Sequence, residues 1–331
     1  MSLQQWQQFL QESAQHKPLL TVADISENDN VICDLSHLGL LEIDGADAFA
    51  FLQGQVTNDV KQLNGEVAHY SGYCNPKGRL LALFLAFAHH DHVHLQMPRA
   101  LIEPIAKRLR MYVMRSKVNI KDVSESIIKI GLQGPDAVAL LNTLFGSVPQ
   151  DTFDLVTHEN GALIKLPGEI ARFEIFTDTE NAKNIWQTLS SQTKTVAADY
   201  WEWLEIQSGI PEVYPTTQEA FVPQMLNLDL LGGINFKKGC YTGQEIVART
   251  HYLGTVKRRT QLAHIDASAQ PEAGDDVTNS NQEIVGKLVR CAAAPKGGYD
   301  LLVEARLESV EAEQLVVGNR PLSIRQLPYK L

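Results

Sequence analysis

The sequence has few cysteines and no long hydrophobic run, and both absences narrow the class of protein. Its four cysteines, Cys33, Cys74, Cys240 and Cys291, lie far apart and form no C-x-x-C pair. In a reducing compartment we expect free thiols, without a zinc site or a disulfide framework. The longest apolar run, residues 80–88, is about half as long as a membrane span requires. It therefore predicts a buried strand.

Targeting signals and common catalytic motifs are also missing. Residues 1–6 contain neither the basic nor the apolar segment of an export signal, so we expect a cytosolic protein without membrane association. No P-loop, GxGxxG, HExxH or GxSxG motif occurs with supporting context. Spacing alone therefore identifies no enzyme.

The charge balance is acidic overall but uneven along the chain. In 331 residues, 29 basic and 39 acidic side chains give a net charge of −10, which argues against a general nucleic-acid coat. Two stretches, 99–121 and 249–259, are nevertheless locally basic. We expect them to attract a polyanion such as tRNA or a polyglutamate tail. For the first stretch, a solvated helix face is an equally good interpretation.

One internal repeat organises the first two-thirds of the chain. Residues 40–52 and 128–141 both have the pattern of a strand, a glycine turn and an apolar helix, at an offset of 89 residues between Gly45 and Gly134. Pro135 suits a first helical position. The repeat predicts two related α+β halves.

The character of the sequence changes after Lys257. Residues 284–291, 299–307 and 315–327 alternate or carry β-branched side chains, with glycine and proline turns between them. This pattern predicts a small antiparallel barrel or sandwich. We expect domains at 1–125, 126–254 and 255–331, the first two of which interleave in space.

Cys240 carries the strongest local signal for chemistry. It follows Lys237 and Lys238 and precedes residues 242–245, whose T-G-Q-E sequence fits a capping box at a helix start. A helix dipole and nearby ammonium groups would favour thiolate over thiol. A structural cysteine at a tight turn is the alternative interpretation.

Two other clusters have weaker signals. The first is an aromatic cluster formed by Tyr200, Trp201 and Trp203, with Glu202 and Glu205 beside them. It offers the aromatic face and the carboxylate that a pteridine ring needs. Plain core packing explains the spacing as well.

The second is a histidine tract at residues 89–94. His92 and His94 share one strand face, but the sequence shows no third and fourth ligand for a metal. A solvated hairpin turn explains the tract better, and no stably bound metal is expected.

Residues 236–249, F-K-K-G-C-Y-T-G-Q-E-I-V-A-R, resemble the signature of the YgfZ family of folate-binding, tRNA-modification-related proteins. Residues 52–60, the turn at 74–79 and the predicted C-terminal barrel fit the same family. The resemblance implies kinship with the glycine cleavage T-protein, an aminomethyltransferase. The implied fold is α+β, with two ferredoxin-like domains around a central cavity and a small C-terminal antiparallel β-barrel.

The resemblance also implies a ligand and a set of site residues. Tetrahydrofolate or a derivative is the expected ligand, and iron–sulfur assembly or tRNA-thiolation enzymes are expected partners. Cys240 is the key thiol, Lys238 and Gly239 frame it, and Trp201 matches an aromatic residue that contacts folate. The remaining expected folate-binding residues are Tyr241, Gln244, Glu245 and Arg249. Leu38 stands where a close family member has a second tryptophan, so folate contact is expected to be weaker there.

Three functions are compatible with these features. The first is a folate-binding accessory protein without a defined catalytic activity, which supports iron–sulfur enzymes and tRNA modification through Cys240. The second is a folate-dependent aminomethyl or one-carbon transferase, which requires an acidic group near the folate nitrogen. The third is a non-catalytic module that binds tRNA or a protein, whose affinity for tRNA would fall steeply with salt.

Overall fold

The computed structural model describes residues 3–15, 17–312 and 315–331. Its α-helices are α1 (Leu3–Ala14), α2 (Ala48–Gln53), α3 (Ile102–Val113), α4 (Ala137–Phe145), α5 (Thr179–Ser190), α6 (Ala198–Gln207), α7 (Gln244–Tyr252) and α8 (Leu307–Glu311). Among the described helices, none has the length and apolar composition needed to cross a bilayer.

The strands alternate with the helices early in the chain and follow one another late in it. They are β1 (Val31–Asp34), β2 (Leu38–Asp44), β3 (Ala68–Cys74), β4 (Leu80–His89), β5 (His92–Pro98), β6 (Asn119–Asp122), β7 (Ile128–Gln133), β8 (Leu155–His158), β9 (Gly161–Leu166), β10 (Arg172–Thr177), β11 (Lys194–Val196), β12 (Arg258–Ile265), β13 (Asp276–Thr278), β14 (Ile284–Ala293), β15 (Tyr299–Arg306), β16 (Val316–Val317), β17 (Arg320–Pro321) and β18 (Ser323–Arg325). The predicted α+β class is confirmed.

The chain folds as two compact units that interleave along the sequence. The first unit comprises Met1–Phe49, Lys61–His69 and Leu85–Trp201, and the second comprises Ala50–Val60, Tyr70–Phe84 and Glu202–Leu331. The chain therefore crosses from one unit to the other inside α6, between Trp201 and Glu202. The predicted domain boundaries at 125 and 254 stay a prediction.

The first unit contains a six-stranded sheet in the order β11-β1-β7-β10-β9-β8. Side chains alternate between its two faces, so β7 and β10 place Ile130, Leu132, Phe173 and Ile175 on one face. These four are at most 1% exposed and belong to a core that also includes Trp186 of α5. The opposite face of the same strands carries polar side chains, and it becomes important for the site.

The predicted repeat is confirmed in the positions of its strands, turns and helices. β2 leads through Gly45 into α2, and β7 leads through Gly134 into α4. Both glycines have positive φ angles, 111° and 150°, and a Cβ atom at either position would lie 2.2 Å from a neighbouring oxygen atom. Only glycine fits such turns without strain. Pro135 was wrongly placed in the helix, because α4 begins at Ala137 with Asp136 as its N-cap.

The second unit contains a seven-stranded sheet in the order β17-β16-β13-β14-β15-β12-β18. Neighbouring strands in this sheet pair antiparallel. Its buried residues, among them Leu288, Leu301 and Val303, form a core of their own. The C-terminal antiparallel barrel predicted from alternating side chains is thus confirmed as a barrel-like sheet.

Candidate functional site

Cys240 lies in the loop of residues 236–243 that precedes α7 in the second unit. Its side chain is exposed, whereas Cys33 and Cys74 are buried and Cys291 is half-buried. Burial raises the pKa of the thiols of Cys74 and Cys291 to about 12. Cys240 is therefore the thiol that reagents in solution reach first.

The Lys238 side chain fixes this loop to an earlier part of the chain. Its side chain is mostly buried, and its Nζ donates hydrogen bonds to the backbone oxygens of Gln53 at 2.8 Å and Val56 at 2.6 Å. Burial lowers the pKa of the Lys238 ammonium to about 8, against an opposing contribution from the carboxylate of Asp59. The ammonium also lies 5.0 Å from the centre of the Tyr241 ring. Lys238 thus fastens the cysteine loop to residues 53–56.

Further hydrogen bonds join Thr57 and Asn58 to residues 232–235, which directly precede the cysteine loop. Thr57 Oγ1 donates to the Gly233 oxygen at 2.7 Å, and Asn58 Nδ2 donates to the Gly232 oxygen at 2.8 Å. The Asn235 amide donates to the Thr57 oxygen at 3.0 Å. Thr57 and Asn58 are at most 4% exposed, so these bonds are shielded from water. Thr57 and Asn58 therefore fix the chain directly before the cysteine loop.

The turn at residues 75–79 supports the other end of the loop. Asn75 Oδ1 accepts hydrogen bonds from the amides of Lys77 and Arg79 at 2.9 and 3.0 Å, which closes the turn. Gly243 has a φ angle of 84°, and a Cβ atom there would lie 2.5 Å from the Asn75 oxygen. A Cβ atom on Gly78 would lie 2.9 Å from Ile246. The turn and the start of α7 thus touch through positions that only glycine allows.

The start of α7 differs from the predicted capping box. The helix begins at Gln244, and Gly243 is its N-cap without any side-chain cap bond. Thr242 was therefore wrongly predicted as the N-cap, because the close contact with the Asn75 turn requires a left-handed residue one position later. Gln244 is half-buried, while Glu245 and Arg249 are exposed.

An aromatic contact places the loop alongside α7. The rings of Phe236 and His251 stack 3.7 Å apart at 12°, and Tyr252 meets both edge-on. The loop therefore begins at the C-terminal end of α7 and returns to its N-terminal end. Gly239 is exposed, with no atom within 4 Å of a Cβ built there, whereas Tyr241 is 7% exposed. Burial, with a smaller effect of Cys74, raises the pKa of the Tyr241 hydroxyl.

Trp201 belongs to the first unit and is nearly inaccessible, at 1% exposed. Its ring lies on Gly131 of β7, where a Cβ atom would come within 2.6–2.8 Å of three ring atoms. The Arg172 guanidinium lies 5.4 Å from the ring centre. The indole Nε1 has no hydrogen-bond partner among the described residues. An unpaired buried donor is unfavourable in a folded protein unless another molecule pairs with it.

Arg172 and Glu174 of β10 are buried polar residues on the face of this sheet where Trp201 packs, and Gln96 reaches Glu174 from β5, a strand of a different sheet. Glu174 of β10 pairs in register with Gly131, and Gln96 Nε2 donates to Glu174 Oε2 at 2.8 Å. Gln96 Oε1 has no partner among the described residues. All three polar side chains, Gln96, Arg172 and Glu174, are at most 6% exposed. An unpaired donor, an unpaired acceptor and a carboxylate fit the hydrogen-bonding edge of a pteridine.

A family model and a named relative each match more than half of this chain. A family model described as the GCVT N-terminal domain matches residues 6–200. The tRNA-modifying protein YgfZ of Enterobacter sp. (strain 638) is 32% identical over 306 residues, which cover 91% of this chain and 93% of that protein. The chain belongs to the YgfZ family.

The fold of this YgfZ-family protein is similar to that of one solved structure. The glycine cleavage system aminomethyltransferase T from Bartonella henselae superposes with a TM-score of 0.75 over 93% of this chain and 88% of its own. The sequence identity is 16%, so this likeness concerns the fold alone.

The motifs that indicated the YgfZ family converge in the second unit. Residues 52–60, the turn at 75–79 and the loop at 236–243 are far apart in sequence, yet the contacts above join them around Cys240. Seven of the predicted site residues lie in the cysteine loop or in α7: Lys238, Gly239, Cys240, Tyr241, Gln244, Glu245 and Arg249. Trp201 lies in the first unit.

The carboxylates that the sequence interpretation put beside Trp201 have other partners. Arg290 Nε donates to Glu202 Oε2 at 2.8 Å, and its Nη1 lies 3.7 Å from Glu205 Oε2. Trp203 Nε1 donates to Asp300 at 2.9 Å. Glu202, Trp203 and Glu205, which follow Trp201 in the sequence, therefore belong to the second unit and make these contacts there. The acid on its own face of the sheet is Glu174, which sequence reasoning missed because alternating polar residues of a strand usually face water.

The two basic stretches of this YgfZ-family chain differ in how many charges are paired. In 99–121, Arg99 lies 3.3 Å from Asp122 and Lys121 lies 2.6 Å from Asp44. In 249–259, Arg258 pairs with Glu304 and Arg259 with Asp229. Six cations make no ion pair with any described residue: Lys107, Arg108, Arg115 and Lys117 in the first stretch, and Arg249 and Lys257 in the second.

Proposed function

We propose that this protein is a cytosolic folate-binding accessory factor of tRNA modification, with the Cys240 thiol as its functional group. The observation that supports this proposal is the exposed Cys240 thiol, on a loop held in place by two distant chain segments, residues 52–60 and the turn at 75–79. A cysteine needed only for packing would be buried, as Cys33 and Cys74 are. The exposure of Cys240 instead supports a role in which its sulfur contacts another molecule.

Folate enters the proposal through the first unit. Trp201 Nε1 is a buried donor and Glu174 a buried carboxylate, and Gln96, whose amide donates to Glu174, supplies a buried acceptor through Oε1. These groups match the donors and acceptors of a pteridine edge, and the Trp201 ring, 1% exposed in this structure, would have to move to stack on the pteridine. When bound, folate would supply a carrier for one-carbon units. This chain's own residues would hold it and keep water from its edge.

The assignment to tRNA modification rests on the relative's name and on charge. The Enterobacter relative is called a tRNA-modifying protein. Arg249 and Lys257, on and just beyond α7, are exposed cations on the segment that carries Cys240. The unpaired cations of 99–121 are the second proposed contact for tRNA. Iron–sulfur assembly or tRNA-thiolation enzymes are the protein partners we propose for the thiol.

A folate-dependent one-carbon transferase is the second candidate function, because Glu174 provides the buried acid that such a reaction needs. Glu174 is 2% exposed and lies opposite Gly131, on which Trp201 packs. Transfer of a one-carbon unit from a purified folate adduct to an amine, lost in Glu174→Gln, would favour this function.

The folate assignment is tested by changing the indole donor without changing the packing. Trp201→Phe retains a ring over Gly131 and removes Nε1–H, so tetrahydrofolate binding is expected to weaken about 2- to 10-fold, the range for one lost hydrogen bond. Isothermal titration calorimetry measures this directly. Trp186→Phe, at a buried tryptophan of the core on the opposite face, is the matched control. Equal affinity in Trp201→Phe and the unmodified protein would remove Trp201 from the folate site.

A further inference from the structure

In the folded protein, the histidine tract at residues 89–94 lies beside residues from other parts of the sequence. His90 and Asp91 form a hairpin turn with positive φ angles, as expected for a solvated turn. β5 then runs antiparallel to β2, with His94 opposite Glu42. On the other side of β2, Lys121 pairs with Glu42. Side chains of paired residues share a face of the sheet. The face that carries His92 and His94 therefore carries acidic residues as well.

The distances in this cluster match those between ligands of one metal ion. Glu42 Oε2 lies 3.1 Å from His92 Nδ1 and 3.5 Å from His94 Nε2. Ligand atoms of Glu42, Asp44 and His92 all lie within 4.8 Å of one another. Two ligands of a tetrahedral zinc, each about 2.0–2.1 Å from the metal, lie roughly 3.3–3.4 Å apart. Glu42, Asp44 and His92 need only small movements to converge on a common point, and His94 approaches this cluster through Nε2, 3.5 Å from Glu42.

We infer that Glu42, Asp44, His92 and His94 form a binding site for a divalent transition-metal cation, with zinc as the probe of choice. Two imidazoles and two carboxylates are a ligand set that zinc accepts. The third and fourth ligands were absent from the sequence interpretation because they come from a strand about 50 residues earlier. The inference is independent of the proposed function and replaces the expectation of no stably bound metal.

His94 provides an observation that a cluster of acids alone would lack. Its side chain is 2% exposed, and its Nδ1 has no hydrogen-bond partner among the described residues. The Phe87 ring stacks on it with centroids 5.0 Å apart at 13°, which fixes the plane of the imidazole. With the ring fixed, Nε2 is directed at Glu42. In this orientation Nε2, 3.5 Å from Glu42 Oε2, is the ring nitrogen that a cation in the cluster would bind.

Lys121 is the group that the cation would replace. Its Nζ lies 2.6 Å from Asp44 Oδ2 and 3.6 Å from Glu42 Oε1. One ammonium offsets one of the two carboxylate charges, whereas a divalent cation offsets both. The Lys121 side chain is 55% exposed, so it can turn into water without losing packing. In this structure the Lys121 ammonium thus occupies the position that the proposed cation would take.

Zinc titration of the untagged full-length protein, followed by calorimetry, tests the inference. We expect one equivalent of zinc to bind, and His92→Ala and the isosteric Glu42→Gln each to weaken binding at least about tenfold. Lys121→Ala should tighten binding, because the competing ammonium is gone. An ion-pair network without a metal function would show no such gain. His251→Ala, which removes an exposed histidine of α7 in the second unit, is the control and should bind as the unmodified protein does.

Three outcomes would overturn the inference. The first is no binding by either the unmodified protein or Lys121→Ala. The second is equal affinity in His92→Ala and His251→Ala, which would place the zinc elsewhere. The third is unchanged or weaker binding in Lys121→Ala. Circular dichroism and the melting temperature of each variant show whether it is folded, and Glu42→Gln retains the shape of the residue if His92→Ala proves unstable.

Discussion

Iodoacetamide is expected to alkylate Cys240 at least about 100-fold faster than any other cysteine of the native protein at pH 8. Only the thiolate reacts. With a pKa of about 12, the thiols of Cys74 and Cys291 are ionised in only about one molecule in ten thousand at this pH. Cys33 is 0% exposed and is shielded by burial alone. Mass spectrometry of peptides after timed quenching measures the four rates in one sample.

The control for this prediction is the same protein unfolded in urea. There the four cysteines should react at rates within a few-fold of one another, because burial no longer distinguishes them. A second cysteine that reacts as fast as Cys240 in the native protein would contradict the exposure pattern on which the proposed function depends.

Gly243→Ala is expected to lower the free energy of unfolding by about 2–4 kcal/mol. A φ angle of 84° is strained for alanine, and the added Cβ would lie 2.5 Å from the Asn75 oxygen. Both effects act where the turn at 75–79 meets α7, so the second unit should melt several degrees earlier. Differential scanning calorimetry measures the change.

Gly239→Ala is the matched control for that substitution. It adds the same methyl group to the same loop, but no atom lies within 4 Å of the new Cβ. Its melting temperature should stay within about 1 °C of the unmodified protein. Equal losses in the two variants would show that the contact between Gly243 and the Asn75 turn does not support the loop.

Local patterns in the sequence predicted the fold well. The apolar run at 80–88 became part of β4, the glycine turns of the repeat became Gly45 and Gly134, and the alternating C-terminal residues became a seven-stranded sheet. These features succeed because periodicity and positive φ angles are properties of short segments. Helix starts were less predictable, since tertiary contact moved the N-cap from Thr242 to Gly243.

The surroundings of the site depended on contacts that short segments do not encode. Lys238 was predicted as a charge beside Cys240, and the structure instead ties its ammonium to the oxygens of Gln53 and Val56. Glu174 was missed because a polar residue in an alternating strand normally faces solvent. It is buried here because the fold covers both faces of that strand. Register between distant strands likewise brings Glu42 to His92 and His94.

The most direct test of the account replaces the sulfur of Cys240 with oxygen in a living cell. A strain that lacks this protein is complemented with Cys240→Ser or, as a control, Cys291→Ser, and the content of thiolated nucleosides in its tRNA is measured. We predict that Cys291→Ser restores thiolation, whereas Cys240→Ser leaves it at the level of the empty strain despite normal protein abundance. Full restoration by Cys240→Ser would contradict a functional thiol and reduce that residue to a part of the turn.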